Sequence, residues 1–146
     1  MQTKKRITPL AFKLGIAGLI PFVVLAGLSF VIESSFKNTI IFSLLAYGAC
    51  ICSFLGAIHW GLTMRDTNPN TIYLIWGVFP SLIAWVALIM KPELGLLLIT
   101  GLLWTCLLID SRIYPKYDLA HWLPMRQLLT IIASISCLVT AIYQFR

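Results

Sequence analysis

Five long apolar stretches, set apart by short polar breaks, follow one another along the chain: Leu14–Ile32, Thr39–Met64, Thr71–Met90, Leu94–Ile113 and Leu128–Phe145. Each comes close to or exceeds the ~20 residues that cross ~30 Å of hydrocarbon at ~1.5 Å per residue. The pattern predicts an all-α membrane protein, a bundle of five transmembrane helices forming a single domain over residues 1–146. The second stretch is long enough to tilt or to project beyond the bilayer. The breaks are Glu33–Asn38, Arg65–Asn70, Lys91–Glu93 and a longer segment from Tyr114 to Gln127. Asn68-Pro69 and Lys91-Pro92 punctuate two of them, because a residue that precedes proline is pushed out of the helical region.

Composition agrees with this pattern. Of 146 residues, 60% are hydrophobic and 11% charged, against about 45–50% and about 25% in a soluble domain. The net charge of +6 would suggest nucleic acid as a partner if the basic residues formed a patch, and they do not. With the N-terminus in the cytoplasm and the C-terminus in the periplasm, Lys4, Lys5, Arg6, Lys13, Arg65, Arg112, Lys116 and Arg126 lie inside, eight of the eleven. Lys37, Lys91 and Arg146 lie outside. Cytoplasmic loops carry this excess, so the charge is a topology signal, with anionic membrane lipids as partner of the inner face and no nucleic acid. The first apolar run exceeds a signal-peptide core and no credible cleavage site follows, so it reads as a retained span. The short basic N-terminus has no long Arg- and Ser-rich transit peptide, which favours a bacterial inner membrane.

Cys50, Cys52, Cys106 and Cys137 all fall inside apolar runs with no C-x-x-C. Buried cysteine packs as a small hydrophobe, so no disulfide and no metal are expected. Gly18-Leu19-Ile20-Pro21 in the first span is echoed by Gly77-Val78-Phe79-Pro80 in the third. Proline within a helix frees a carbonyl and kinks it; such kinks serve packing, or else form a hinge at a binding site.

An ionisable side chain in hydrocarbon costs ~2.5–3.5 kcal/mol on insertion scales, so each one asks for a reason. His59 shares a helical stripe with Gly48, Cys52, Gly56 and Thr63, small residues that let a neighbour approach. It therefore points into the bundle, either as a neutral imidazole bonded across helices or as a ligand-binding or proton-handling residue. Asp110 ends the fourth span and Arg126 precedes the fifth, each at the wrong end of its helix dipole. Their pairing relieves both penalties, with Arg112 and Arg65 as competing cations and a snorkelling interfacial charge as the plainer reading. Trp60, Trp76 and Trp122 suit an interfacial belt. Trp85 and Trp104 read as deeper, serving either core packing or a Trp-lined cavity near the kinks at Pro21 and Pro80.

No G-x-x-x-x-G-K-[ST], G-x-G-x-x-G, H-E-x-x-H or G-x-S-x-G string occurs, so nucleotide binding, zinc proteolysis and serine hydrolysis lack their residues. Bis-histidine haem lacks a second intramembrane histidine, since His121 lies in a loop. No cofactor is expected, and the short loops leave little room for an aqueous active site.

Tyr47-Gly48-Ala49, Phe54 to Gly61 with its H-W-G string, and the W-G-x-x-P-S-x-x-A-W string from Trp76 to Trp85 resemble the domain-of-unknown-function 3429 family. The likeness runs from Gly15 through Asp110 to Arg126–Thr130. Animal members of that family are called transmembrane protein 69 and are associated with mitochondria. The resemblance implies a multi-span inner-membrane protein and supplies no activity, substrate or cofactor. Two function classes follow. One is a non-catalytic scaffold, assembly or regulatory subunit working with other membrane proteins. The other is a binder or carrier of a hydrophobic small molecule (quinone, tetrapyrrole or lipid) at an intramembrane site of His59, Trp60, Trp76, Pro80, Ser81 and Trp85. The outline also resembles the tryptophan-rich sensory proteins, without matching strings.

Overall fold

A computed structural model describes residues 7–68 and 70–145. Lys4, Lys5, Arg6 and Arg146 of the charge count, and Pro69 of the second loop, lie outside the described residues. The elements are α1 (Pro9–Ala17), α2 (Ile20–Val31), α3 (Ser34–Thr63), α4 (Thr71–Ile89) and α5 (Pro92–Ile113), two short 3-10 turns (Tyr114–Tyr117 and Ala120–Trp122), and α6 (Leu123–Gln144). Taken as Pro9–Val31, Ser34–Thr63, Thr71–Ile89, Pro92–Tyr117 and Ala120–Gln144, they supply five helices long and apolar enough to cross a membrane.

Proline sets most of the boundaries. Pro9, Pro21, Pro92, Pro115 and Pro124 each occupy the first or second position of a helix or 3-10 turn, where the missing N–H would have no helical partner anyway. Thr8 accepts from the Ala11 amide at 3.3 Å to cap α1, and Asn70 accepts from the Ile72 amide at 3.0 Å to cap α4. These local signals displace several ends expected from hydropathy. Helix α3 begins at Ser34, so the expected break at Glu33–Asn38 is mostly its first turn. Helix α6 begins at Leu123, which puts Arg126 and Gln127 inside it. Polar residues end an apolar run, but they do not end a helix when the next residues can still form backbone hydrogen bonds.

The Gly-x-x-Pro echo is not symmetric. At Gly18-Leu19 the first span breaks into α1 and α2. The Tyr47 hydroxyl closes this break by donating to the Gly18 carbonyl at 2.8 Å, and the Tyr47 ring meets Phe22 edge-on at 5.0 Å. Pro80 instead stays inside an uninterrupted α4.

Packing runs in a ring, α2 on α3, α3 on α4, α4 on α5, α5 on α6 and α6 back on α2, with α3 also touching α5 through the middle. Phe22, Leu44, Leu45, Leu96, Ile99, Leu103 and the free thiols Cys52 and Cys137 are buried there. The crossing of α3 and α4 is close: a Cβ on Gly56 would lie 2.5 Å from the Gly77 carbonyl oxygen, and one on Gly77 would lie 2.2 Å from the Trp60 ring. Helix α1 packs chiefly on α6.

Candidate functional site

The end of the bundle that holds the start of α1 also gathers the C-terminal ends of α3 and α5 and the start of α6, because consecutive spans alternate direction. We call it the proximal end. His59 and Asp110 lie near the proximal ends of α3 and α5, four and three residues from their last residues, Thr63 and Ile113. At that common depth they meet. His59 Nε2 and Asp110 Oδ1 are 2.9 Å apart, and Arg126 donates to Asp110 Oδ2 through Nε at 2.9 Å and Nη2 at 2.7 Å. His59 and Asp110 are each 1% exposed, and Arg126 is 8% exposed.

Arg126 and Asp110 cancel each other's charge, and the guanidinium binds through two donors as its planar fork allows. A carboxylate only accepts, so His59 Nε2 carries the proton that it gives to Asp110. His59 Nδ1 is buried with no partner. The neutral tautomer leaves a bare lone pair there, whereas an imidazolium would leave an unsatisfied buried N–H. Thr63 fixes the local helix by donating to the His59 carbonyl at 2.7 Å. The Tyr114 ring lies 6.4 Å from the imidazole, and its buried hydroxyl interacts with Arg126. Arg65 and Arg112, the competing cations, are exposed.

Beside this cluster is a cavity of about 590 Å³, with walls from α1, α2, α3, α5 and α6. Phe22, Leu55, Leu103 and Ala133 form its apolar depth, and Tyr114, Trp122, Arg126 and Thr130 supply its polar side. Leu14 and Phe54 also line it while being 64% and 63% exposed, so it opens sideways at the bundle surface.

The residues expected at the site from sequence divide accordingly. His59 contacts the cluster but does not line the cavity. Trp60 is exposed and donates to the Leu74 carbonyl at 2.8 Å, where it packs on Gly77. Trp76 is half-buried with its indole N–H unpartnered, and Ser81 donates to its own helix at Val78. Pro80 is buried against Gly56. Trp85 is 61% exposed and Trp104 is also exposed, which corrects the expectation that they wall a cavity: their large rings sit on the outer, apolar surface of the bundle. Of the two expected kinks, the cavity lies at the one near Pro21, between Gly18 and Phe22, and not at Pro80. Trp122 is the one tryptophan among its walls. Tyr114 and Thr130 were not singled out from sequence. A depth count from the ends of neighbouring spans would have flagged Tyr114, and nothing in the composition marks Thr130.

Comparison with known proteins identifies the family. The family model for a protein of unknown function (DUF3429) matches residues 7–142, nearly the whole chain. The chain belongs to the DUF3429 family. Among its relatives, transmembrane protein 69 of Xenopus tropicalis is 35% identical over 132 residues, covering 86% of this chain and 51% of the relative. Transmembrane protein 69 of Mus musculus is 29% identical over 138 residues, covering 92% and 56%. The chain thus spans about half the length of the curated relatives it matches. No solved structure matches it. This DUF3429 chain is a multi-pass membrane protein with five apolar helices.

Proposed function

We propose that the chain binds, and by opening sideways carries or presents, a hydrophobic small molecule in the cavity between α1, α3 and α6. The observation that supports this reading is the cavity itself: about 590 Å³, within the ~300–1,000 Å³ usual for ligand sites. It is walled by hydrocarbon and ends on a few convergent polar groups. Because it opens at the bundle surface past Leu14 and Phe54, an apolar molecule can enter it from the bilayer. Native mass spectrometry of the full chain released from mild detergent should show one retained small molecule. Ala11→Trp, which places an indole in the cavity without entering the core, should remove most of it. Recovery of bare protein alone, or equal occupancy in Ala11→Trp, would reject the reading.

A scaffold or assembly role, the first of the two classes expected from the sequence, becomes the second reading, supported by Gly27, Gly61 and Gly101, where an added Cβ would meet nothing within 4 Å. Small residues on a membrane helix let another helix approach closely. Co-purification of a second membrane subunit, lost in Gly61→Leu, is the outcome that supports it.

The membrane we assign is a bacterial inner membrane, with the proximal end in the cytoplasm. Lys13, Arg65, Arg112, Lys116 and Arg126 lie at that end, and Lys37 and Lys91 at the other. This is the asymmetry that sets orientation and draws anionic lipid headgroups to one face. In a cysteine-free background, Ser35→Cys should react with an impermeant thiol reagent from the periplasm and Asn68→Cys should not. The reverse labelling overturns the orientation.

A further inference from the structure

The polar side of the cavity restricts what its occupant's head can be. Buried hydroxyls in this protein generally spend their proton on their own helix: Ser29 on Ala26, Thr63 on His59, Thr100 on Leu96, Ser136 on Ile132 and Thr140 on Ser136, all at 2.6–3.0 Å. Such back-bonding is the default for serine and threonine inside a helix. Thr130 and Ser134 depart from it, and of the two only Thr130 belongs to the cavity wall. It lines the cavity, is 1% exposed, and its Oγ1 has no partner among the described residues. One turn away, Arg126 gives Asp110 two of its five N–H donors and still faces the cavity. The Tyr114 hydroxyl stands beside it. With the Trp122 indole, the cavity wall therefore carries four side chains that can donate, and its one cation is already neutralised.

That balance selects a charge type. An anionic head would set a second negative charge next to buried Asp110, which raises the cost of both. A cationic head would meet Arg126 and find no free carboxylate. A hydrocarbon with no head would leave Thr130 unpaired in an apolar wall, and buried polar groups are rarely left so. A neutral head with oxygen acceptors satisfies every donor without adding charge.

On the reading that the cavity is a ligand site, we propose that it takes a neutral amphiphile with a carbonyl-bearing head, docked against Arg126, Tyr114 and Thr130. The hydrocarbon tail lies between Phe22, Leu55 and Leu103 and leaves past Leu14 and Phe54. Two sources share this chemistry, a prenylated quinone and a neutral glyceride.

The test uses the full chain in lipid nanodiscs with three probes: decylubiquinone, dioctanoylglycerol and oleate. Equilibrium binding should be seen for one of the two neutral probes, which identifies the source, and oleate should not compete with it. Thr130→Val and Tyr114→Phe should each weaken that binding about tenfold, the loss of one hydrogen bond. Ser134→Ala should not, because Ser134 is also buried and unpartnered but is not part of the cavity wall. Oleate binding more tightly than both neutral probes, or unchanged affinity in Thr130→Val and Tyr114→Phe, overturns the assignment. If oleate or a head-free hydrocarbon such as squalene binds and Ala11→Trp abolishes it, the cavity is still a ligand site and the neutral head is wrong. If no probe binds, the ligand-site reading falls with it.

Discussion

Asp110→Ala should destabilise the protein by ~3–5 kcal/mol, the cost of leaving a buried charge without its counter-ion. The substitution takes both hydrogen bonds from Arg126 and the Nε2 partner from His59 in one step. No second carboxylate is paired with Arg126 among the described residues, so the guanidinium has no replacement partner at this depth. Three helices lose their common contact at the proximal end, and α6 is the one expected to loosen, carrying the cavity wall with it. Thermal unfolding in detergent, followed by size-exclusion of the surviving fraction, measures the loss. Asp110→Ala combined with Arg126→Met removes both charges and should recover a large part of the stability, because a matched apolar pair avoids the desolvation that the ion pair has to overcome. Losses that simply add would mean that the two side chains stabilise the bundle independently, and would reject the coupled cluster.

Gly56→Ala should cost ~1–3 kcal/mol by overpacking. Its new methyl would lie 2.5 Å from the Gly77 carbonyl oxygen and 3.1 Å from the Pro80 ring. A backbone oxygen and a proline ring cannot rotate away as a flexible side chain can, so α3 and α4 would have to separate. That separation would also strain the Trp60 indole, which reaches the Leu74 carbonyl one turn below. Gly61→Ala on the same helix and Gly101→Ala on α5 are the controls, since nothing lies within 4 Å of either added Cβ. Both should be neutral, or more stable by up to ~1 kcal/mol as alanine replaces glycine in a helix. Equal effects at positions 56 and 61 would show that helix propensity, and not the close crossing, governs position 56.

The number of spans and their approximate extents were legible in the amino-acid pattern, because the bilayer requires ~20 apolar residues per crossing and charges interrupt such runs. The few intramembrane ionisable residues could be picked out for the same reason: His59 and Asp110 stand out against the hydrocarbon whatever the packing. The small-residue stripe also placed His59 inward, but the facing side of the large apolar residues was less legible. Lipid tails are as apolar as a protein core, so hydropathy does not mark which side of a membrane helix turns inward. This is why Trp85 and Trp104 read as candidates for a cavity wall and are found on the outer surface of the bundle. It is also why the cavity was expected at both proline kinks and lies only at the one near Pro21, beside Gly18 and Phe22. Helix ends at Ser34 and Leu123 depend on backbone hydrogen bonding and on Pro124, which a hydropathy window averages away. The meeting of His59, Asp110 and Arg126 depends on three helices separated by 51 and 16 residues in the chain. Their shared depth can be counted along each span, but their shared azimuth is set by small-residue crossings such as Gly56 on Gly77, and tertiary packing alone decides it.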